Sequence, residues 1–379
     1  MLIDGSVGSI SLIRRRITLR SPRTDTHCLV GDACIAVRGR FRDSDLFRHL
    51  FEQVLERCIA EGLVGGDHFG VDASLIKADA SRYTKVEAAE WSPPVDAPRA
   101  VQEYLDTLDD AAFSGATTVK PKALSPADPA ARFTGANGDR AFFAYSTNYL
   151  VDLENAVIVD VAATAPIRQA EAGAAQEMIL RAKDRFGLYP KLLAADTAYG
   201  SADMLGWLVE DEGIEPHIPV FDKSERKDGA FPTTDFIYDH EADEYTCPGG
   251  KALKPFWRKF TKERPKFGKD GFKKYSARKD DCAACKLKAK CTPKQENRSI
   301  IRSRNEGARQ LARDIAKTDA YVSSSYARKK VEMLFAHLKR IIGLDRLRLR
   351  GPNGAKDEFH FAAMVQNLRK LAKLVPSPA

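Results

Sequence analysis

FFAYSTNYLVDLENAVIVDVAAT, residues 142–164, decides how the rest of the chain is arranged. Aromatic and β-branched residues crowd its two halves, and the Leu-Glu-Asn link between them has room only for a turn. The segment therefore predicts two strands, 142–152 and 156–164, folded as an antiparallel hairpin. Upstream, DHFGVDASL predicts a short strand ending near Asp72. Downstream, 168–187 predicts a helix, LYPKLLAAD (188–196) a strand, ADMLGWLVEDEG (202–213) a second helix and IEPHIPV (214–220) a last short strand. The order strand, hairpin, helix, strand, helix, strand suits an α/β fold with a mixed sheet flanked by helices.

Outward from this core the patterns change. Residues 43–63 repeat Leu46, Leu50, Val54, Leu55 and Cys58 at helical spacing, and Gly65–Gly66 closes the run. Residues 1–36 have no such stripe and are expected to be loosely attached. Residues 90–138 are rich in Pro, Ala, Asp and Gly and predict exposed loop with one helix at 99–113. Residues 221–305 are dense in Lys and Arg with interleaved aromatics, and EFHFAAMVQNLRKLAKL near the end is an amphipathic helix. The expected division is an N-terminal segment at 1–64, an α/β core at 65–220, a basic cysteine-containing insertion at 221–305 and C-terminal helices at 306–379 that complete the core.

Lys and Arg total 60 against 52 acids, giving a formal charge of +8, which favours a polyanionic partner, nucleic acid being the commonest. The N-terminus carries charges where a secretion signal needs an apolar run, and no stretch approaches the ~18 apolar residues of a membrane span. Four of the seven cysteines fall between Cys247 and Cys291, which reads as metal-ligand clustering in a reducing compartment, hence a cytoplasmic setting with no membrane partner.

Asp72 and Asp196 each sit where a predicted strand ends, the place where ligands gather in sheets with parallel strands. Two carboxylates there, joined by a third from a helix, suit a hard cation such as Mg²⁺ or Mn²⁺. Each is equally readable as a helix cap or turn residue. In YARKKVEMLFAHLKRIIGL (326–344), Arg328, Glu332 and Lys339 fall on one helical face beside an apolar stripe of Val331, Leu334, Leu338 and Ile342. Glu332 can then point into a site on the sheet while Arg328 and Lys339 meet DNA phosphates, or Arg328 and Glu332 can form a solvated i,i+4 pair. Cys247, Cys282, Cys285 and Cys291 offer four thiolates, two of them at Cys-x-x-Cys spacing, for a structural Zn²⁺, the alternative being unliganded thiols. Cys28, Cys34 and Cys58 read as ordinary partly buried residues. The basic, aromatic run 256–279 is readable either as a DNA-backbone surface or as a solvated loop around the cysteines.

These stretches, taken together and in order over residues 37–375, resemble the DDE transposases of bacterial insertion sequences, in the branch with a cysteine insertion between the second Asp and the Glu. The resemblance rests on FGVDASLIKADAS, SPADPAARF, LLAADTAYGSADM, HIPVFDKSERKDGAF, the CAACKLKAKC cluster and RKKVEMLFAHLKRIIGLDRLRLRG. It implies a ribonuclease-H-like core and catalytic acids at Asp72, Asp196 and Glu332 holding Mg²⁺ or Mn²⁺. It further implies DNA contacts at Arg328 and Lys339, homo-oligomers on DNA, and strand cleavage and transfer at element ends. Two departures stand out. The family's signature Tyr is expected three residues before Arg328, where this chain has Ser325, with Tyr326 one place off. Relatives open with a longer helical region before RGRFRDSDLF, so a truncated DNA-binding region is expected here. A metal-dependent nuclease of the same fold and an inactive DNA-binding remnant remain the other readings.

Overall fold

The computed structural model describes residues 44–135, 140–221, 230–258, 265–269 and 271–375. Residues 1–36, with Cys28 and Cys34, lie outside the described residues, so the expectations placed on them have no structural counterpart.

Helix α1, Leu46–Ala60, leads into strand β1, His68–Lys77. The loop that follows contains β2 (Val86–Glu87), helix α2 (Arg99–Asp106), β3 (Ala123–Leu124) and β4 (Arg132–Thr134). The hairpin strands are β5, Phe142–Asp152, and β6, Val157–Thr164. Then come α3 (Arg168–Phe186), β7 (Leu192–Ala194), α4 (Ala202–Gly206) with a wider π turn to Asp211, and β8 (Glu215–His217). The hairpin expected from 142–164 is present, and its turn is fastened by Asp152. One carboxylate oxygen of Asp152 accepts from the Glu154 backbone N–H at 3.0 Å. The other accepts from the N–H groups of Gly65 and Gly66, both at 3.0 Å.

The main sheet runs β6-β5-β1-β7-β8, with β4 beside the first residues of β5. β5 runs antiparallel to both of its neighbours β1 and β6, whereas β1, β7 and β8 run parallel. β1 extends to Lys77, past the position near Asp72 where its sequence suggests an end. Its partner β7 stops opposite Gly70, and no further bridge occurs on that side until Arg346 meets Lys77. The interval leaves a notch in the sheet beside Asp72.

Between β8 and the last helices lies a second, small core. It comprises β9 (Ile237–Asp239), β10 (Glu244–Thr246) and β11 (Ala252–Leu253) in one sheet, and the hairpin β12 (Phe272–Ser276) with β13 (Ser299–Ser303). Short helices α5 (Lys279–Ala283) and α6 (Lys288–Cys291) carry Cys282 and Cys291, and Cys285 lies in the link between them. The chain then returns through α7 (Glu306–Ile315), α8 (Asp319–His337, widening to a π turn through Ile342) and α9 (Gly351–Leu374).

Helices cover both faces of the sheet. Tyr149, opposite Asp72 in the β1–β5 register, stacks on Phe335 of α8 at 4.7 Å and donates its hydroxyl to Gln366 of α9 at 3.0 Å. Ser146, an odd number of residues away on β5, points to the other face and donates to Glu171 of α3 at 2.7 Å. Helix α1 buries Phe51, Leu55 and Cys58, while Leu46, Leu50 and Val54 are only partly covered, so its inner face is rotated from the expected stripe. That rotation accommodates a charged network. Arg48 bonds Glu52 at 2.7 Å and Asp160 of β6 at 3.1 Å, and Arg181 of α3 completes the Asp160 carboxylate at 2.9 Å.

Candidate active site and cysteine knuckle

Asp72 stands on the central strand, facing the notch. One carboxylate oxygen accepts from the Ala73 backbone N–H at 2.8 Å, and the other lies 3.6 Å from the Arg328 guanidinium. Burial pushes its pKa up to about 6, and the charges of Asp196 and Glu332 push the same way against Arg328 and the Ala73 N–H. Negative charge is therefore concentrated at one spot without full compensation.

Asp196 follows β7 by two residues. Because Gly70 pairs with Ala194 in the parallel register, Asp72 and Asp196 are each two steps beyond the same rung. Its carboxylate accepts from the Ala198 N–H at 2.8 Å and so caps the short 3-10 turn Thr197–Tyr199. The cap expected of Asp196 is present, and the same carboxylate lies close enough to Asp72 for its charge to act there.

Helix α8 brings the third acid. It can approach because β1 has glycine at its contact point. A Cβ at Gly70 would stand 3.1 Å from Val331 Cγ2 and 2.8 Å from Leu153 Cδ2. Val331, Leu334, Phe335 and Leu338 are buried, as the apolar stripe requires. Arg328 then reaches both sides, to Glu332 at 3.1 Å and to Asp72 at 3.6 Å. Glu332 itself is half-exposed, so the site opens to solvent on the α8 side.

Lys339 is placed differently. It is half-buried in the π turn, where burial lowers its pKa, Asp345 opposes that effect and Lys77 adds to it. It therefore belongs with the C-terminal end of β1 and not with Arg328. Beside that end is an open groove of about 620 Å³ whose lining includes Lys77, Arg82, Arg140 and Arg346. The aromatic ring of Tyr83 is exposed there with the Arg82 guanidinium 4.7 Å above it.

Two further residues, not singled out by sequence, approach the acids. Glu171 comes from the first turn of α3, and Tyr199 from the turn capped by Asp196. In the sequence, an acid in a first helical turn reads as ordinary dipole complementation, and a tyrosine in DTAYG as core filling.

The four cysteines converge away from this site. Cys247, Cys282, Cys285 and Cys291 all border one small cavity of about 30 Å³. A single point next to Gly249 is 3.5 Å from the Cys285 sulfur and 3.6 Å from that of Cys247. The Lys251 backbone N–H donates to Cys247 Sγ at 3.3 Å. Burial raises the Cys291 thiol pKa, and the other three thiols add to the rise. The donor set and the cavity fit one soft cation.

Among the described residues, no three His, Cys, Asp or Glu side chains are already gathered tightly enough to grip an ion. In the acidic cluster the space between Asp72 and Glu332 is taken by Arg328. No described helix is long and apolar enough to cross a membrane.

No curated protein and no solved structure matches the chain. A family model described as a transposase DDE domain matches residues 246–372, a span that takes in all four clustered cysteines, Arg328, Glu332 and Lys339.

Proposed function

We propose that this chain is a DDE transposase whose ribonuclease-H-like core cleaves DNA strands and joins them to a new site. The observation that carries the reading is the placement of Asp72, Asp196 and Glu332. They lie far apart in sequence and act on one another at a notch in a mixed sheet. Structural carboxylates have no reason to be gathered around a single arginine in this way. The family match, which reaches Glu332 from the C-terminal side, supports it independently, as do the strand order and the helix carrying the third acid.

The residues suit a hard divalent cation, Mg²⁺ or Mn²⁺, because the donors are carboxylate oxygens and Arg328 balances their mutual charge only in part. Such a cation, when bound, would supply Lewis acidity for phosphoryl transfer. Asp72 and Asp196 would hold it from the sheet and Glu332 from α8. Arg328, released from the carboxylates it now bridges, would be placed to meet a DNA phosphate, and the cationic groove beyond Lys77 and Lys339 would track the backbone. The region 221–305 acts in this reading as an insertion between the second and third acids, held by Zn²⁺ on Cys247, Cys282, Cys285 and Cys291.

The test uses the DNA flanking the gene as a duplex with a labelled 3′ end, incubated with Mg²⁺ or Mn²⁺. Cleavage and covalent transfer of the label to a second duplex are expected, with at least ~10³-fold loss in Asp72→Asn, Asp196→Asn and Glu332→Gln. Cleavage without transfer would favour a nuclease of the same fold. Specific binding without cleavage would favour an inactive remnant.

A further inference from the structure

The acidic cluster does not end at three residues. Tyr199 is buried, and its hydroxyl has no hydrogen-bond partner among the described residues. The groups acting on it are three carboxylates, those of Glu171, Asp72 and Asp196. A buried hydroxyl aimed among carboxylates yet bonded to none marks a space that something polar should fill.

Glu171 borders the same space. One of its oxygens accepts from the Ser146 hydroxyl at 2.7 Å, and the other makes no hydrogen bond to a described residue. Its side chain is partly buried and lies close enough to Asp196 for the two charges to act on each other. Among the described residues, the cation acting on it is Arg168, whose guanidinium lies over the Phe221 ring at 4.0 Å. Although α3 covers the opposite face of the sheet from α8, β7 ends at Ala194, so beyond that point no strand separates the two sides. Glu171 can therefore reach Asp196 around the end of β7.

We propose that Glu171 is a fourth carboxylate of the divalent-cation site, beside Asp196, and that the Tyr199 hydroxyl donates into the space between them. This rests on the transposase reading of the acidic notch and extends it. Ser146 orients Glu171 through one oxygen and leaves the other for the ion or its water. The site so completed draws ligands from both faces of the sheet.

The experiment is Mn²⁺ binding to the full chain, dialysed free of Mg²⁺ and Mn²⁺ with any cysteine-bound zinc left in place, followed by the paramagnetic resonance of free Mn²⁺, with no DNA present. Variants are Glu171→Gln, Tyr199→Phe, Asp72→Asn and Asp196→Asn, each checked by circular dichroism for an unchanged fold. Glu171→Gln keeps the Ser146 contact and is expected to weaken Mn²⁺ by about 10-fold or more, with a smaller loss in Tyr199→Phe. Partial recovery in Glu171→Asp would support direct participation. Wild-type affinity in Glu171→Gln, with affinity lost in Asp196→Asn, would overturn the proposal and leave the transposase reading standing. Wild-type affinity in Asp72→Asn and Asp196→Asn as well would overturn both.

Discussion

The sheet core and the cysteine knuckle bury their residues on very different scales. The sheet core joins strands and helices from Phe51 to Ala363 in one apolar cluster. Among the described residues, the knuckle's apolar cluster has six buried members, Phe236, Tyr245, Leu253, Tyr275, Ala277 and Ile300. A core that small rarely stabilises a fold alone, and such units usually rely on a metal or a disulfide. Its polar centre, Asp243, accepts from Tyr238 at 2.8 Å and from Tyr275 at 2.5 Å and pairs with Lys273, but this too is a modest brace. The large core can tolerate carboxylates at its notch that Arg328 balances only in part. On the proposed reading, the small one relies on a cation at its four cysteines to fold. The two proposed cation sites would thus have opposite relations to stability: at the notch the ion would serve chemistry, and in the knuckle it would serve structure.

The largest effect that would sharpen this contrast is expected from Cys285→Ser. It should abolish close to one equivalent of bound zinc and expose 230–305 to protease, while the sheet core melts as before. Core and knuckle melting together, or zinc absent from the wild type, would break the distinction.

Next in size is Gly70→Val. The added side chain meets Leu153 and Val331, so α8 must shift from β1. Overpacking of this kind costs about 1–3 kcal/mol, read as a lower melting temperature of the core. Activity should fall further than stability, since Glu332 and Arg328 ride on the displaced helix. An unchanged melting temperature would show that α8 yields freely.

The smallest effect is a pH dependence inside the core. Glu358 of α9 is buried, and its carboxylate accepts from the backbone N–H groups of Arg348 at 2.8 Å and Leu349 at 2.5 Å. Burial nevertheless raises its pKa to about 7 from an ordinary 4.5. Between those values the folded protein keeps a proton that the unfolded chain loses, so stability falls as pH rises through that window and is level above it. Glu358→Gln keeps an acceptor oxygen and should flatten this slope. A slope unchanged in the variant would place its origin elsewhere.

Much of the sheet was legible because the hairpin at 142–164 and the strand before Asp196 carry their signal in adjacent residues. The Glu332 helix was legible for the same reason, with Val331, Leu334 and Leu338 at helical spacing. Other features depend on partners distant in sequence. β1 runs past Asp72 because β5 pairs with it as far as Lys77, and DHFGVDASL holds no trace of that partner. The helix expected at 99–113 ends at Asp106, where the chain turns through Thr107, whose hydroxyl bonds the Glu103 carbonyl at 2.9 Å. Lys339 was read as sharing the face of Glu332, but the helix widens to a π turn from Leu338, which shifts the angular spacing. Glu171 and Tyr199 carry no local mark at all, since their significance comes only from what the end of β7 leaves open.

The central claim is that Asp72, Asp196 and Glu332 hold one divalent cation. Iron-directed self-cleavage tests it most directly: Fe²⁺ with ascorbate and peroxide is added to the full chain, and the cut peptide bonds are mapped by mass spectrometry. The account predicts cuts near all three residues, suppressed together by excess Mg²⁺ and lost together in Asp196→Asn. Cuts near only one of them, or at sites indifferent to Mg²⁺, would contradict it.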